Sequence, residues 1–268
     1  MTETLTATNG DVRLAYEVRG EGRPVLLVQG LGYARWGWDP IVDLLAERFL
    51  VVYFDNRGIG LSDIPPGPYT AAAMAEDAAA VLAAVGLERA HVIGASLGGI
   101  VAQQLAVAAP EKLDRLVLAC TTPGTRGHPM PQKTVDLLLE MPRMPFEQGI
   151  RSAIQNALAA GTVAARPELV ETILERRLAE PFDFGGWQAQ AAAAMTFDGL
   201  DRLREIRAPT LVVQGTEDNV VDPRNAELLA DCIPNARLEW FPGTGHLFFW
   251  EEPERFAAVV DDFLSETR

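Results

Sequence analysis

Five short apolar runs, PVLLVQG at 24–30, LVVYFD at 50–55, HVIGA at 91–95, LDRLVLAC at 113–120 and PTLVVQG at 209–215, constrain the chain more than any other feature. Each is strand-sized and continuous rather than alternating with polar residues, as expected of strands buried on both faces. Helix-like stretches separate them: DPIVDLLAERF, an alanine-rich stretch near 70–86, and 97–109. Strands alternating with helices in this way define an α/β class, with a parallel sheet covered on both sides. Asp39 is the expected cap of the first helix, with Pro40 at its first position. Ahead of the first run, residues 4–8 and 11–18 read as two strands flanking Asn9-Gly10-Asp11, a hairpin signal.

The rhythm stops at Thr121. From there to about Arg207 no strand pattern occurs; a loop rich in proline and glycine, TTPGTRGHPMPQ, leads into KTVDLLLEM, FEQGIRSAIQNALAA, PELVETILERRLA and GGWQAQAAAAM, all helical in pattern. Strand and helix then alternate again to the C-terminus, with a helix near 223–232, the strand ARLEWF and a terminal helix after His246. The reading is a sheet domain made of 1–121 and 201–268, interrupted by a helical insertion over 122–200.

Residues 94–98 read Gly-Ala-Ser-Leu-Gly, between a buried strand and a helix. G-x-S-x-G occurs as a plain turn in many chains, but between a strand and a helix it is the pattern expected of a nucleophile elbow. A sharp strand-to-helix turn lifts the Ser96 hydroxyl above the end of the strand, and glycine two places either side avoids collision with neighbouring backbone. The amide of Leu97, at the start of the helix, is free to donate to an anion. A serine hydroxyl is a weak nucleophile and needs a base that is itself oriented. Of three histidines, His91 opens the elbow strand and falls at the far end of the sheet, as a surface strand-end residue. His128 lies in the Pro-rich loop. His246, in the turn GTGHLFFW after the last strand, falls on the same edge as Ser96 and is the expected base. The acid should follow a strand at that edge. LVVQGTEDNVVDP offers Glu217, Asp218 and Asp222; Asp218 is preferred, since Asp222 precedes Pro223 as a helix cap would.

The order Ser96, Asp218, His246 resembles that of the α/β-hydrolase fold family. LLVQGLG resembles the family's strand followed by His-Gly, YFDNRGIGLSD its D-x-R-G-x-G-x-S-D loop, and GTGHLFFWEEPERF its histidine turn followed by Glu-x-P. The stretch YFDNRGIGLSDIPPGPYT is particularly similar to the 3-oxoadipate enol-lactonase branch. The resemblance implies a mostly parallel eight-stranded sheet flanked by helices, with a helical cap inserted after the sixth strand. It implies a second oxyanion donor in the amide of Leu31. It also implies a carboxylesterase or lactonase that forms an acyl-enzyme on Ser96, with no metal and no organic cofactor. Gln29 stands where the family usually has histidine, so the hydrogen bonds bracing that loop must differ. Arg57 and Ser62 are expected to hold the family loop in shape.

Gln29, Trp36, Trp38, Trp187 and Phe248 are the residues expected to line a substrate pocket, although ordinary packing accounts for each aromatic ring taken singly. A carbon–carbon bond hydrolase acting on a vinylogous diketone, and a ligand receptor that keeps the triad, are the alternatives. Formal net charge is −14, so neither nucleic acid nor anionic membrane is an expected partner. A small ester or lactone is, and a homodimer is compatible with the chain. Two distant cysteines make no disulfide framework, and the N-terminus has no apolar signal core. No apolar run approaches the roughly 20 residues that span a bilayer. These features place the expected protein in the cytoplasm.

Overall fold

A computed structural model describes residues 3–266. Eight strands form one sheet: β1 Leu5–Asn9, β2 Val12–Arg19, β3 Arg23–Val28, β4 Phe49–Phe54, β5 Ala90–Ala95, β6 Leu113–Ala119, β7 Thr210–Gly215 and β8 Ala236–Phe241. Their order is β1-β2-β4-β3-β5-β6-β7-β8. β1 and β2 pair antiparallel, as do β2 and β4; every pairing from β4 through β3 to β8 is parallel. The hairpin loop is Gly10–Asp11, one residue later than the Asn-Gly pair implies. Asn9 pairs with Val12 across it, and Gly10 takes φ 58°.

Unbroken apolar strands do have two buried faces. In β3, Val25 and Leu27 join one cluster, with α1 (Asp39–Ala46) and α11 (Pro253–Ser265). Leu26 and Val28 join the other, with α2 (Ala71–Ala84), α3 (Leu97–Ala108) and α9 (Arg224–Cys232). α1 begins at Asp39 itself, with Trp38 as its cap residue. The Asp39 carboxylate reaches Arg176 instead of capping. His91 is not at the surface: it is 3 % exposed, edge-on to Phe49, with neither ring nitrogen hydrogen-bonded.

Between β6 and β7 the chain forms α4 Gln132–Glu140, α5 Phe146–Ala157, α6 Ala160–Ala165, α7 Pro167–Ala179 and α8 Phe184–Thr196. A β-bridge between Gly124 and Asp198, with Arg126 paired to Asp198 and Asp201, joins the two stems of this insertion. Its buried residues Ile150, Ile154, Val170 and Ile173 belong to the same cluster as α1 and α11. The stretch 146–160 is not one helix. It ends at Ala157, and Leu158 and Ala159 run extended and fully buried before α6 starts. The terminal helix is likewise split, into α10 (Phe248–Glu251) and α11. Glu252 sits at φ −134°, ψ 63° ahead of Pro253, because a residue preceding proline is driven out of the helical region. Among the described residues no helix is long and apolar enough to cross a membrane.

Candidate active site

Ser96 caps α3 at φ 55°, ψ −118°, a conformation side chains rarely adopt. Neighbouring backbone imposes it. A Cβ on Gly98 would stand 1.9 Å from the Val28 carbonyl oxygen, and one on Gly94 would stand 2.3 Å from that of Gly98. The turn is pinned further by Ser96 N–H donating to the Ala119 carbonyl at 2.9 Å, and by the Thr121 hydroxyl donating to the Ser96 carbonyl at 2.7 Å. Leu97 is the first residue of α3, so its amide has no acceptor within the helix.

The loop after β3 runs against this corner: a Cβ on Gly30 would come within 3.1 Å of the Ser96 Cβ. Gln29 braces it. Its Oε1 accepts from the Gly30 amide at 2.7 Å, and its carbonyl accepts from Asn56 Nδ2 at 2.9 Å. Gln190 of α8, fully buried, adds a third hold by accepting from the Gly32 amide at 2.9 Å and donating to the Arg57 carbonyl at 2.7 Å. Nearby, Arg57 pairs with Asp77, and the Ser62 hydroxyl donates to the Asp55 carbonyl at 2.6 Å.

His246, 7 % exposed, lies in the turn after β8, with Nδ1 2.8 Å from Asp218 Oδ2. The other donors to that carboxylate are the amides of Val220 and Val221 at 2.7 and 2.9 Å and Gln214 Nε2 at 2.8 Å. Surrounded by donors, the Asp218 carboxyl oxygens act as acceptors. They therefore fix the tautomer carrying hydrogen on Nδ1, leaving Nε2 of His246 to exchange a proton. Burial is the largest single influence and lowers the imidazole pKa, but the Asp218 carboxylate and the Cys120 side chain beside the ring together raise it well above 6.5. Glu217 is exposed, and Asp222 is engaged with Arg224.

Ser96, Leu97, Leu31, Gln29 and His246 all line one cavity of about 460 Å³, whose wall is otherwise mostly apolar. Trp187 lines it, stacked on Phe184. The other three aromatic residues do not. Trp36 packs against Trp250, Trp38 lies fully buried against Phe249, and Phe248 packs on Phe241 and Phe256. The short helical turn Arg35–Trp38 directs the tryptophans down into the core. Consecutive helical positions point about 100° apart, so Phe249 meets the cavity while Phe248 faces the core. Residues the sequence pattern passed over are Tyr33, Cys120, Thr134 and Asn156, which also border the cavity. Cys120 follows β6 at φ 42°, and only its place at a strand end hinted at this.

With fold and geometry in place, the comparisons define the class. The profile of the α/β-hydrolase fold family matches residues 23–253, and the chain belongs to that family of hydrolases. It is 33 % identical to a putative carbamate hydrolase, RutD, of Azorhizobium caulinodans, over 97 % of this chain and 98 % of that one. The enol-lactonase of Burkholderia xenovorans LB400 superimposes with a TM-score of 0.86 at 25 % identity, covering 98 % of this chain and 100 % of the other. A thermophilic esterase of Thermogutta terrifontis gives 0.82 at 30 % identity, covering 98 % of each chain.

Proposed function

We propose that this chain is a serine hydrolase that cleaves a carboxylic ester or lactone of a small, largely apolar substrate. The observation that carries the reading is that His246, held by Asp218 at 2.8 Å, opens with Ser96 onto one mostly apolar cavity. Similarity to an enol-lactonase and an esterase supports it.

Ser96 Oγ attacks the carbonyl carbon as His246 Nε2 takes its proton. Asp218 holds the imidazole by Nδ1–H and stabilises the cation that forms. The negative oxygen of the tetrahedral intermediate sits between the amides of Leu97 and Leu31, each donor contributing about 2.7–4 kcal/mol at sites of this kind. The intermediate collapses, His246 returns the proton to the leaving alkoxide, and an acyl group remains on Ser96. Water, deprotonated by the same imidazole, then releases the acid. In a lactone the leaving oxygen stays attached to the acyl chain, so the product is a single hydroxy acid. No step needs a metal or an organic cofactor.

The test is turnover of short p-nitrophenyl esters and small lactones by the wild type and by Ser96→Ala. Hydrolysis that Ser96→Ala abolishes is expected. Hydrolysis that survives the substitution, or none at all, overturns the reading. Turnover of a vinylogous dienone with esters untouched would replace it with carbon–carbon bond hydrolysis.

A further inference from the structure

α10 ends on a carboxylate that no step above uses. Glu251 is only 4 % exposed. Its Oε1 accepts from the amide of Gly245, the residue before His246, at 2.7 Å. The same carboxylate faces the Ala159 amide at 3.3 and 3.4 Å and accepts from the Thr162 hydroxyl. Ala159 and Thr162 belong to the helical insertion, at the extended corner between α5 and α6. Three donors converge on the group, which suits an acceptor-only carboxylate. The charged group facing it is Arg166, which also donates to the Glu251 carbonyl at 2.9 Å. Burial raises the carboxyl pKa above the usual carboxylate range, and Thr162, the two amides and Arg166 offset only part of the rise.

The residue on the other side of His246 is tied to the same segment, with Leu247 N–H donating to the Ala157 carbonyl at 3.1 Å. The fit is close: a Cβ on Gly245 would stand 2.6 Å from that carbonyl oxygen. The imidazole is thus carried on a turn whose two flanking amides both end on the α5–α6 corner, one directly and one through Glu251. That segment also borders the cavity, through Ala153, Asn156 and Ala157.

We infer that Glu251 is a positioning residue that transmits the placement of the α5–α6 corner to His246, so that the insertion sets the geometry of the base as well as covering the cavity. The inference rests on His246 being the base of the proposed reaction. It explains why a carboxylate stands at 251. A glutamine offers one acceptor oxygen, and whichever way it is turned its NH₂ opposes either the Gly245 amide or the Ala159 amide.

The test compares Glu251→Gln, Thr162→Val and a control, Glu252→Gln, in the full chain. Glu252 pairs with Arg255 away from the cavity. Two readouts are needed. In steady-state kinetics, Glu251→Gln lowers kcat by about tenfold to a hundredfold, the scale of a misplaced reacting group. Its KM stays within about twofold, as when only transition-state interactions are lost. In NMR of isotope-labelled histidine, the His246 ring signals shift or broaden in Glu251→Gln and, to a smaller extent, in Thr162→Val. The His91 signals and the control remain at wild-type positions. A folded Glu251→Gln protein with wild-type kcat and unmoved His246 signals overturns the inference. If that variant does not fold, Thr162→Val decides in the same way. The ring signals report the position of His246 whether or not any ester is turned over, so a failure of the proposed reaction is told apart from a failure of this inference.

Discussion

The two corners of the site are held by different physics. At Ser96 the hold is steric and comes from the sheet: a glycine-only gap between β5, α3 and the end of β3 leaves the backbone one course. At His246 the hold is a set of hydrogen bonds, and several cross to the helical insertion. Glu251 links the histidine turn to Ala159 and Thr162. Thr134 of α4 donates to the Asn219 carbonyl beside Asp218, and Asn156 of α5 donates to Thr134 at 2.6 Å. Backbone sterics in a packed core yield little to a neighbour's movement, whereas hydrogen bonds across two segments follow whichever segment moves. Ser96 is therefore held by the sheet, whereas the His246–Asp218 pair is held partly by hydrogen bonds to the insertion.

The strongest way to break this contrast is at the elbow. Ser96→Ala should cost on the order of 10⁶-fold in kcat. Gly98→Ala, which removes no reacting group, should abolish labelling of Ser96 by a fluorophosphonate, because its methyl has no room beside Val28. Next, Asp218→Asn should cost about 10⁴-fold through the wrong tautomer. In the proposed reaction His246 accepts a proton only as the neutral imidazole, and Asp218 raises its pKa. In the wild type kcat/KM should therefore rise with pH along a limb lying above 6.5. In Asp218→Asn that limb should move to lower pH, as pH–rate profiles would record. At the side-chain corner, Thr134→Val should lower kcat by about tenfold and leave labelling of Ser96 in the unfolded-corrected protein complete.

Much of this was legible beforehand, for identifiable reasons. Steric requirements leave glycines at fixed spacing, so Ser96 and the strand-to-helix context could be read directly, and the apolar runs revealed a doubly covered sheet. His246 and Asp218 followed from strand ends at one edge. Hydrogen bonds between distant segments leave no periodic trace. Nothing in FEQGIRSAIQNALAA announces that the helix must stop at Ala157 so that Ala159 can meet Glu251. Glu251 sits in GTGHLFFWEEPERF, yet its partners in the insertion come from 92 and 89 residues away. Aromatic residues misled for a related reason, since nearness in sequence to the loop after β3 or to His246 does not say which way a ring turns. Trp36, Trp38 and Phe248 entered the core, whereas Phe249 reached the cavity.

Smaller effects sharpen the same division between core and cavity. Trp187→Phe should raise KM a few-fold, whereas Trp38→Phe should leave KM unchanged and cost about 1 kcal/mol of stability in denaturant unfolding. His91 gives the mildest signal. Burial lowers its pKa to about 4, with Asp114 opposing and Arg23, Arg115 and Arg89 reinforcing the fall. A histidine held neutral contributes stability above the unfolded value of about 6.5, and the contribution is lost as pH falls toward 4. Replacing His91 by leucine should narrow the gap between Tm at neutral and at mildly acidic pH.

The most direct measurement of the central contrast is native-state amide hydrogen exchange, resolved by segment, in the wild type and Glu251→Gln. Local openings that involve different units exchange with different free energies. Segments 157–162 and 244–251 should open together and both become less protected in the variant, with 93–99 unchanged. Protection of 244–251 that persists while 157–162 loosens, or loss of protection spread equally to 93–99, would contradict the account.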